Sequence, residues 1–374
     1  MATSVTLSAG VRSNLLSLQE SSGLFNTTQT RLATGKKVNS ALDNPTNYFT
    51  SQNLQSRAGE LSGLLDSMTN GINAVKAASN GLESVTTTIQ SMQATATQAR
   101  QDASWQSTSF TFSPTGTAAA MSFTGGSVGT TAVTVSLVTG TVADTVDQAV
   151  TAISANTNLT GKIKASNDAG TLRIQNLSTS SLTVTGATGA TIDAGATTVA
   201  IAGNTVRTNL VTQFNLLRDQ LDKTAADSSF NGVNLLQGDA LKLFFNELST
   251  SSLTIQSTNT AGINNSVLAI TSATAAEFEN NTLLDTRLQN LHTALTTVAS
   301  QSSAFGANLS IVQNRESFTT RMINTLQTGA DGLTLADTNL EGANMLALQT
   351  RQQLSITALS LASQAQGAVL RLFG

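Results

Sequence analysis

Cysteine is absent from the 374 residues, which removes disulfides, thiolate metal sites and cysteine nucleophiles together. Histidine occurs once, at His292, so histidine-based metal sites and acid–base pairs are equally short of material. Proline occurs twice, at Pro45 and Pro114, and long helices therefore meet few breakers. Charged residues make up only 11% of the chain, against roughly 25% in an average soluble domain, and Ser, Thr, Ala and Asn take the vacated positions. The formal charge of -3, with Lys and Arg scattered, gives no continuous basic face for nucleic acid. No apolar run approaches the roughly 20 residues that a membrane span needs. The opening "MATSVTLSAGVRSNLL" lacks a basic segment followed by an apolar stretch, so no cleavable secretory signal is expected.

Heptads dominate what is there. Leu54, Leu61, Met68, Val75, Leu82, Ile89 and Ala96 recur every seven residues, thickened by Leu65, Ile72, Val85 and Met92. At about 1.5 Å per residue they predict a helix roughly 60 Å long. A second long helix is predicted from Leu284, Leu291, Val298, Phe305, Val312 and Leu326, and a shorter one from Leu210, Phe214, Leu217 and Leu221. Both ends carry seams as well: Val11, Leu18, Phe25 and Leu32 with Leu15 beside them, and Leu333, Leu340, Ala347, Leu354, Leu361 and Ala368 with Met345, Ile356, Leu359, Leu370 and Leu372 widening the stripe. Chain ends ordinarily fray, so two patterned ends imply that they meet each other or other copies of the chain. "LKLFFN" and "SLTIQS" alternate as strands around residues 246–251 and predict a β-hairpin.

Between Trp105 and Asn204 the heptads stop and short Gly/Thr/Ser/Val-rich runs replace them. "AVTVSLVTG", "GTLRIQN" and "SLTVTG" read as strands, with further strands plausible at "SFTFS" and "AAMSFTG". Val142, Val146, Ala149, Val150 and Ile153 share one helical face. The expected fold is mainly α, a long coiled-coil helical bundle formed by the N- and C-terminal segments, with a β-hairpin and an inserted small α+β domain. Its segments are an N-terminal inner helix (1–42), a spoke and first long helix (43–104), the insert (105–204), a third helix with the hairpin (205–275), a second long helix (276–330) and a C-terminal inner helix (331–374).

Catalytic signals are weak. "GGSVG" at Gly125–Gly129 satisfies G-x-S-x-G in form, but a strand pattern follows Ser127 where a nucleophile elbow needs a helix, and the one available base, His292, falls on a different segment. "GATGATIDAG" lacks the spacing of a dinucleotide loop. Asp43, Asp66, Asp144 and Asp147 are too dispersed for a metal cluster. No enzyme, metal or cofactor is expected.

"RLATGKKVNSALDNP", with Arg31, Leu32, Gly35, Asn39, Ser40, Ala41 and Asp43, resembles the N-terminal pattern of bacterial flagellins. Asp337, Leu346, Gln349, Gln352, Ala358, Ala362, Gln364, Ala365, Val369, Leu370 and Leu372 are similar to that family's closing helix, and "SSFNGVNLL" to its turn before a hairpin. The resemblance implies a structural subunit that polymerises with itself into the extracellular flagellar filament for motility, exported unfolded through the flagellar apparatus. It further implies an export chaperone, a filament cap and hook-filament junction proteins as partners. Val11, Leu15, Leu18, Phe25, Leu32, Leu340, Leu354, Leu361 and Leu370 are the expected polymerisation interface. A hook-to-filament junction protein, which shares the end motifs, is the alternative reading. Two departures stand out: Pro45 and Tyr48 follow Asp43, which predicts a differently bent spoke, and the chain closes on Phe373 and Gly374. At the positions where stimulatory flagellins present two arginines and a leucine to an innate immune receptor, this chain has Ser91, Gln93 and Thr95, which predicts poor recognition.

Overall fold

A computed structural model of the chain describes residues 9–112, 120–139, 142–143, 145–188, 191–192 and 198–373. Seven helices appear among them: α1 (Ala9–Thr34), α2 (Pro45–Gln101), α3 (Val146–Ala155), α4 (Thr205–Asp227), α5 (Ala275–Glu279), α6 (Asn281–Thr334) and α7 (Thr338–Phe373). None of the described helices is long and apolar enough to cross a membrane. Contacts divide the chain into two units, residues 1–69, 244–252 and 313–374 in the first, and 70–243 with 253–312 in the second.

The heptads become buried lines. On α2, Leu61, Met68, Val75, Leu82, Ile89 and Ala96 are all buried, with Leu54 half-buried at the head of the series. On α6, Leu284, Leu291, Val298, Phe305, Val312 and Leu326 are buried, and Thr319 fills the one gap in that series at 2% exposure. Pro45 is the first residue of α2, where its missing N–H is no loss, and the Asn44 side chain accepts the Asn47 N–H at 3.0 Å to close the helix start.

In the first unit, Ala58 and Leu61 of α2 cluster with Leu326 of α6, flanked by Leu54, Leu64, Met322 and Ile323. Arg57 pairs with Glu247 in the hairpin tip, and the Arg315 guanidinium lies 5.4 Å above the Phe245 ring. That tip, residues 244–252, joins strands Ala240–Phe244 and Ser252–Gln256, which lie for the most part in the second unit and pair as the hairpin that the alternation predicts.

In the second unit, the inserted segment forms two larger sheets and a two-stranded pair, Val138–Thr139 with Val142–Ala143, so Val142 lies on a strand and not on the helical face expected of it, which begins at Val146. One runs in the order Ile163–Asp168, Thr171–Asn176, Ser107–Phe112, Thr191–Ile192, Ala187–Thr188, and the other Thr198–Ile201, Leu182–Thr185, Ala120–Gly125, Gly129–Ser136. Pairing is antiparallel except between Ser107–Phe112 and Thr191–Ile192. Alternation along the strands sends Phe110, Met121, Phe123, Leu172, Ile174, Leu182 and Val184 into one core, which Ala149 and Ile153 of α3 close. Ile163–Asp168 and Thr198–Ile201 are strands that the composition did not reveal: both lie at sheet edges, the first largely polar (IKASND) and the second only four residues long. "GATGATIDAG" lies partly, and Asp144 and Pro114 wholly, outside the described residues.

The insert joins the helices through a polar neck. Arg207, 2% exposed, donates to the Phe278 and Asp102 carbonyls at 2.5 and 2.8 Å and lies 4.3 Å over the Trp105 ring. Asn204 caps α4 by accepting the Arg207 N–H at 3.0 Å, and its amide donates to the Asp102 carboxylate. Burial alone would raise the Asp102 carboxyl, but hydrogen bonds from Ser104 and Asn204 and the Arg207 charge together hold it below the usual range. Glu279, ending α5, accepts from the hydroxyls of Ser127, Ser178 and Thr179 and from the Thr179 N–H at 2.7–2.9 Å. Ser127 thus sits on a tight turn, Gly126–Val128, as a hydrogen-bond donor to Glu279.

Candidate assembly surface

α1 and α7 pack together in the first unit. Arg31, in the last turn of α1, meets Glu341, in the first turn of α7, so the helices run in opposite directions along their seam. Each charge also complements the dipole of its own helix end. On α1 the covered line is Val11, Asn14, Leu18, Ser21, Phe25, Thr28 and Leu32, alternating three and four residues apart, with Val11, Ser21 and Thr28 fully buried. Leu15, expected as the second seam position, is 38% exposed, and Asn14, Ser21 and Thr28 hold that second line instead.

α7 has two apolar lines. The covered one is Glu341, Met345, Leu348, Gln352, Ser355, Leu359 and Ala362. The line that the sequence makes most conspicuous lies elsewhere on the helix: Leu340, Leu354 and Leu361 are 60%, 66% and 62% exposed, with Leu346 and Ile356 exposed as well. Ala343, Leu346, Ala347, Thr350, Arg351 and Leu354 line a shallow groove along this face. The Leu370 side chain lies outside the described residues. The sequence places Met345 and Leu359 beside the seam, but Glu341 and Leu348 of the inner line gave no such indication; the available signal was an acidic residue in one first turn and a basic residue in the other helix's last turn.

The link from α1 to α2 is built by the motif residues. Gly35 ends α1 at φ +68, a conformation that L side chains resist, and its carbonyl accepts the Ala336 N–H at 2.9 Å. The Lys37 N–H reaches the Thr334 carbonyl at 2.8 Å. Asp43 accepts the Asn39 and Ser40 N–H groups, both at 2.9 Å, and the Ser40 hydroxyl at 3.2 Å, while the Asn39 amide donates to the Lys36 carbonyl at 3.1 Å. Those backbone donors, Asn39 first and Ser40 second, hold the exposed Asp43 carboxyl below the ordinary aspartate range.

On α2, Ser91 is exposed and Gln93 half-buried, but Thr95 is 4% exposed and packed within its own chain, so it is not available to an outside receptor.

The same two ends match known proteins. Residues 8–111 match the bacterial flagellin N-terminal helical region, and residues 288–373 the bacterial flagellin C-terminal helical region. Flagellin FljM of Caulobacter vibrioides is 31% identical over 164 residues, 44% of this chain and 59% of that protein. A flagellin of Brucella melitensis is 25% identical over 170 residues, 43% of this chain and 60% of its own length. Flagellin A of Rhizobium meliloti is 34% identical over 90 residues, 24% of this chain and 23% of its own length. The chain spans about three fifths of the length of the first two. With helical regions of that family matched at both ends, in the order and on the helices that carry the motif residues, the chain belongs to the bacterial flagellin family.

Proposed function

We propose that this chain is the structural subunit of an extracellular flagellar filament, polymerising with copies of itself through the outward apolar line of α7. The observation that carries this reading is Leu340, Leu354 and Leu361, each more than half exposed on a helix whose other apolar line is already occupied by α1. Fully covering a leucine side chain contributes about 1.5–3 kcal/mol, so a row of them repeated in every copy drives association strongly. The weakly charged surface, 11% Asp, Glu, Lys and Arg, limits like-charge repulsion between identical copies. The α1–α7 pair itself has little buried apolar area: Val11 is the only fully buried apolar residue of α1. Such helices gain stability from further burial, which neighbouring copies supply.

We further propose export as an unfolded chain through the flagellar apparatus, with an export chaperone before export, and a filament cap and hook-filament junction proteins as assembly partners; the resemblance of both ends to flagellins supports this reading. Polymerisation of Leu354→Asp and Leu361→Asp variants tests the central reading. Because both positions are exposed, the monomer's melting free energy should stay within about 0.5 kcal/mol of the parent. Sedimentation should then show monomers where the parent forms filaments. Filaments from the double variant would refute the proposal, and a trace amount of this chain in sheared filaments would point to a junction protein.

A further inference from the structure

The chain contains three Asn-Gly steps, Asn70-Gly71, Asn80-Gly81 and Asn231-Gly232. This dipeptide is the one in which a backbone nitrogen most easily attacks the preceding side-chain amide, since glycine puts no Cβ in the way. Reaction requires ψ of the asparagine to rotate and the glycine N–H to be free. The first two steps lie inside α2, where each glycine N–H is committed to the helix ladder. Both glycines are also packed: a Cβ on Gly71 would stand 2.6 Å from Leu243, and one on Gly81 2.1 Å from Ser228.

The third step is different in each respect. Asn231 and Gly232 are exposed at φ +50 and +81 and form the two-residue tip of a tight hairpin turn. The turn is closed by the Phe230 N–H to the Val233 carbonyl at 2.9 Å and the Val233 N–H to the Phe230 carbonyl at 3.0 Å. Those bonds use the amides of Phe230 and Val233 and leave the Gly232 nitrogen outside them. Nothing lies within 4 Å of where a Gly232 Cβ would be, so the tip has room to rotate.

We propose that Asn231 is a site of spontaneous, self-catalysed modification, the position at which this protein ages chemically. The Gly232 nitrogen bonds to Cγ of Asn231 and gives up its proton. The side-chain nitrogen leaves with that proton as ammonia, and a five-membered succinimide remains. Water then opens the ring at either carbonyl, giving aspartate or isoaspartate. Each event adds one negative charge to a chain of formal charge -3. The isoaspartate form also inserts an extra backbone carbon into a turn whose register sets Asn234. That residue's amide donates to the Ala225 and Ala226 carbonyls at 2.9 and 2.7 Å and ties down the end of α4.

The test is peptide mass spectrometry of the purified full-length chain, incubated in mildly alkaline buffer and sampled over weeks. The peptide holding Asn231 should acquire the mass gain of amide-to-acid conversion and split into two chromatographic isomers, one co-eluting with the peptide from an Asn231→Asp variant. Opening a long packed helix is the added requirement at the other two steps, so Asn231 should convert at least roughly tenfold faster than Asn70 or Asn80. In concentrated urea the three rates should converge, because the fold no longer protects the helical pair. Equal rates in the folded chain would overturn the proposal. A difference that persists in urea would overturn it too, by showing that neighbouring residues rather than the fold set the order.

Discussion

The Arg31 guanidinium lies 3.1 Å from the Glu341 carboxylate and ties the end of α1 to the start of α7. The Glu341 side chain is 9% exposed and that of Arg31 35%, so the acid depends on the base more than the reverse. Removing the base strands a nearly buried carboxylate, while Arg31's partial exposure keeps the loss below that of a fully buried pair. Arg31→Ala is expected to cost about 1–2 kcal/mol at the α1–α7 seam. Amide hydrogen exchange in both helices should rise by roughly tenfold. Adding Glu341→Gln should return part of the loss; a double variant as labile as the single one would show that the charge pair is not the cause.

A second prediction reverses the usual sign of a helical Gly→Ala change. In an exposed helix interior that substitution stabilises by about 0.5–1 kcal/mol, and Gly63, with nothing within 4 Å of its missing Cβ, should behave so. Gly81 should not. Its Cβ would stand 2.1 Å from the Ser228 Oγ and 2.7 Å from a Leu236 methyl, closer than any rotamer change at Ser228 alone relieves. Gly81→Ala should therefore destabilise by about 1–3 kcal/mol through overpacking. Urea denaturation of the two single variants decides the matter, and equal shifts would contradict the close approach at Gly81.

These cases show how much was legible in the sequence. The α2 and α6 heptads were, because a bundle helix repeats one requirement every seven residues and a single polar intrusion such as Thr319 leaves the pattern readable. The role of α7 was only half legible. Spacing reveals that an apolar line exists but not what covers it, and the line that meets α1 is the less hydrophobic of the two, with Glu341, Gln352 and Ser355 in it. Arg207 gave no signal at all, since its importance comes from Asp102, Trp105 and Phe278, which are brought to it only by the fold. The motif around Asp43 was recognisable as a pattern, but its physical reason, two backbone N–H groups aimed at one carboxylate oxygen, appears only in three dimensions.

Acid should loosen the chain at Asp43 and Asp102. Both carboxyls are held below the ordinary aspartate value of 3.8 in the folded protein, so the unfolded chain binds more protons as the pH falls through that value. The stability they contribute is complete above 3.8 and is lost as the pH drops through their folded values. Hydrogen exchange measured down an acid series should show residues 36–44 opening early. Asp43→Asn should make that segment's exchange less sensitive to acid, while an unchanged acid response would separate Asp43 from the effect.

Removal of the insert should leave the helices folded and able to assemble. Its two connections to the helices meet at the neck, where the Asn204 side-chain nitrogen donates to the Asp102 carboxylate and the Ser104 hydroxyl lies 3.4 Å from the Asn204 Oδ1, so the excised ends are already side by side. Asn204 has to be kept, because it caps α4 and its loss would cost about 1 kcal/mol. A chain in which Ser104 runs through a short Gly/Ser linker into Asn204 loses the core of Phe110, Phe123 and Leu172 as one unit, and that core draws its buried residues from the insert alone. Arg207 keeps its bonds to the Phe278 carbonyl and the Asp102 carbonyl and loses only the Trp105 ring. Glu279 loses the Ser127, Ser178 and Thr179 donors and gains water in their place. Circular dichroism should retain the helical signal, and electron microscopy should show thinner filaments. A variant that stays folded and monomeric yet never polymerises would instead assign the insert an essential contact between copies.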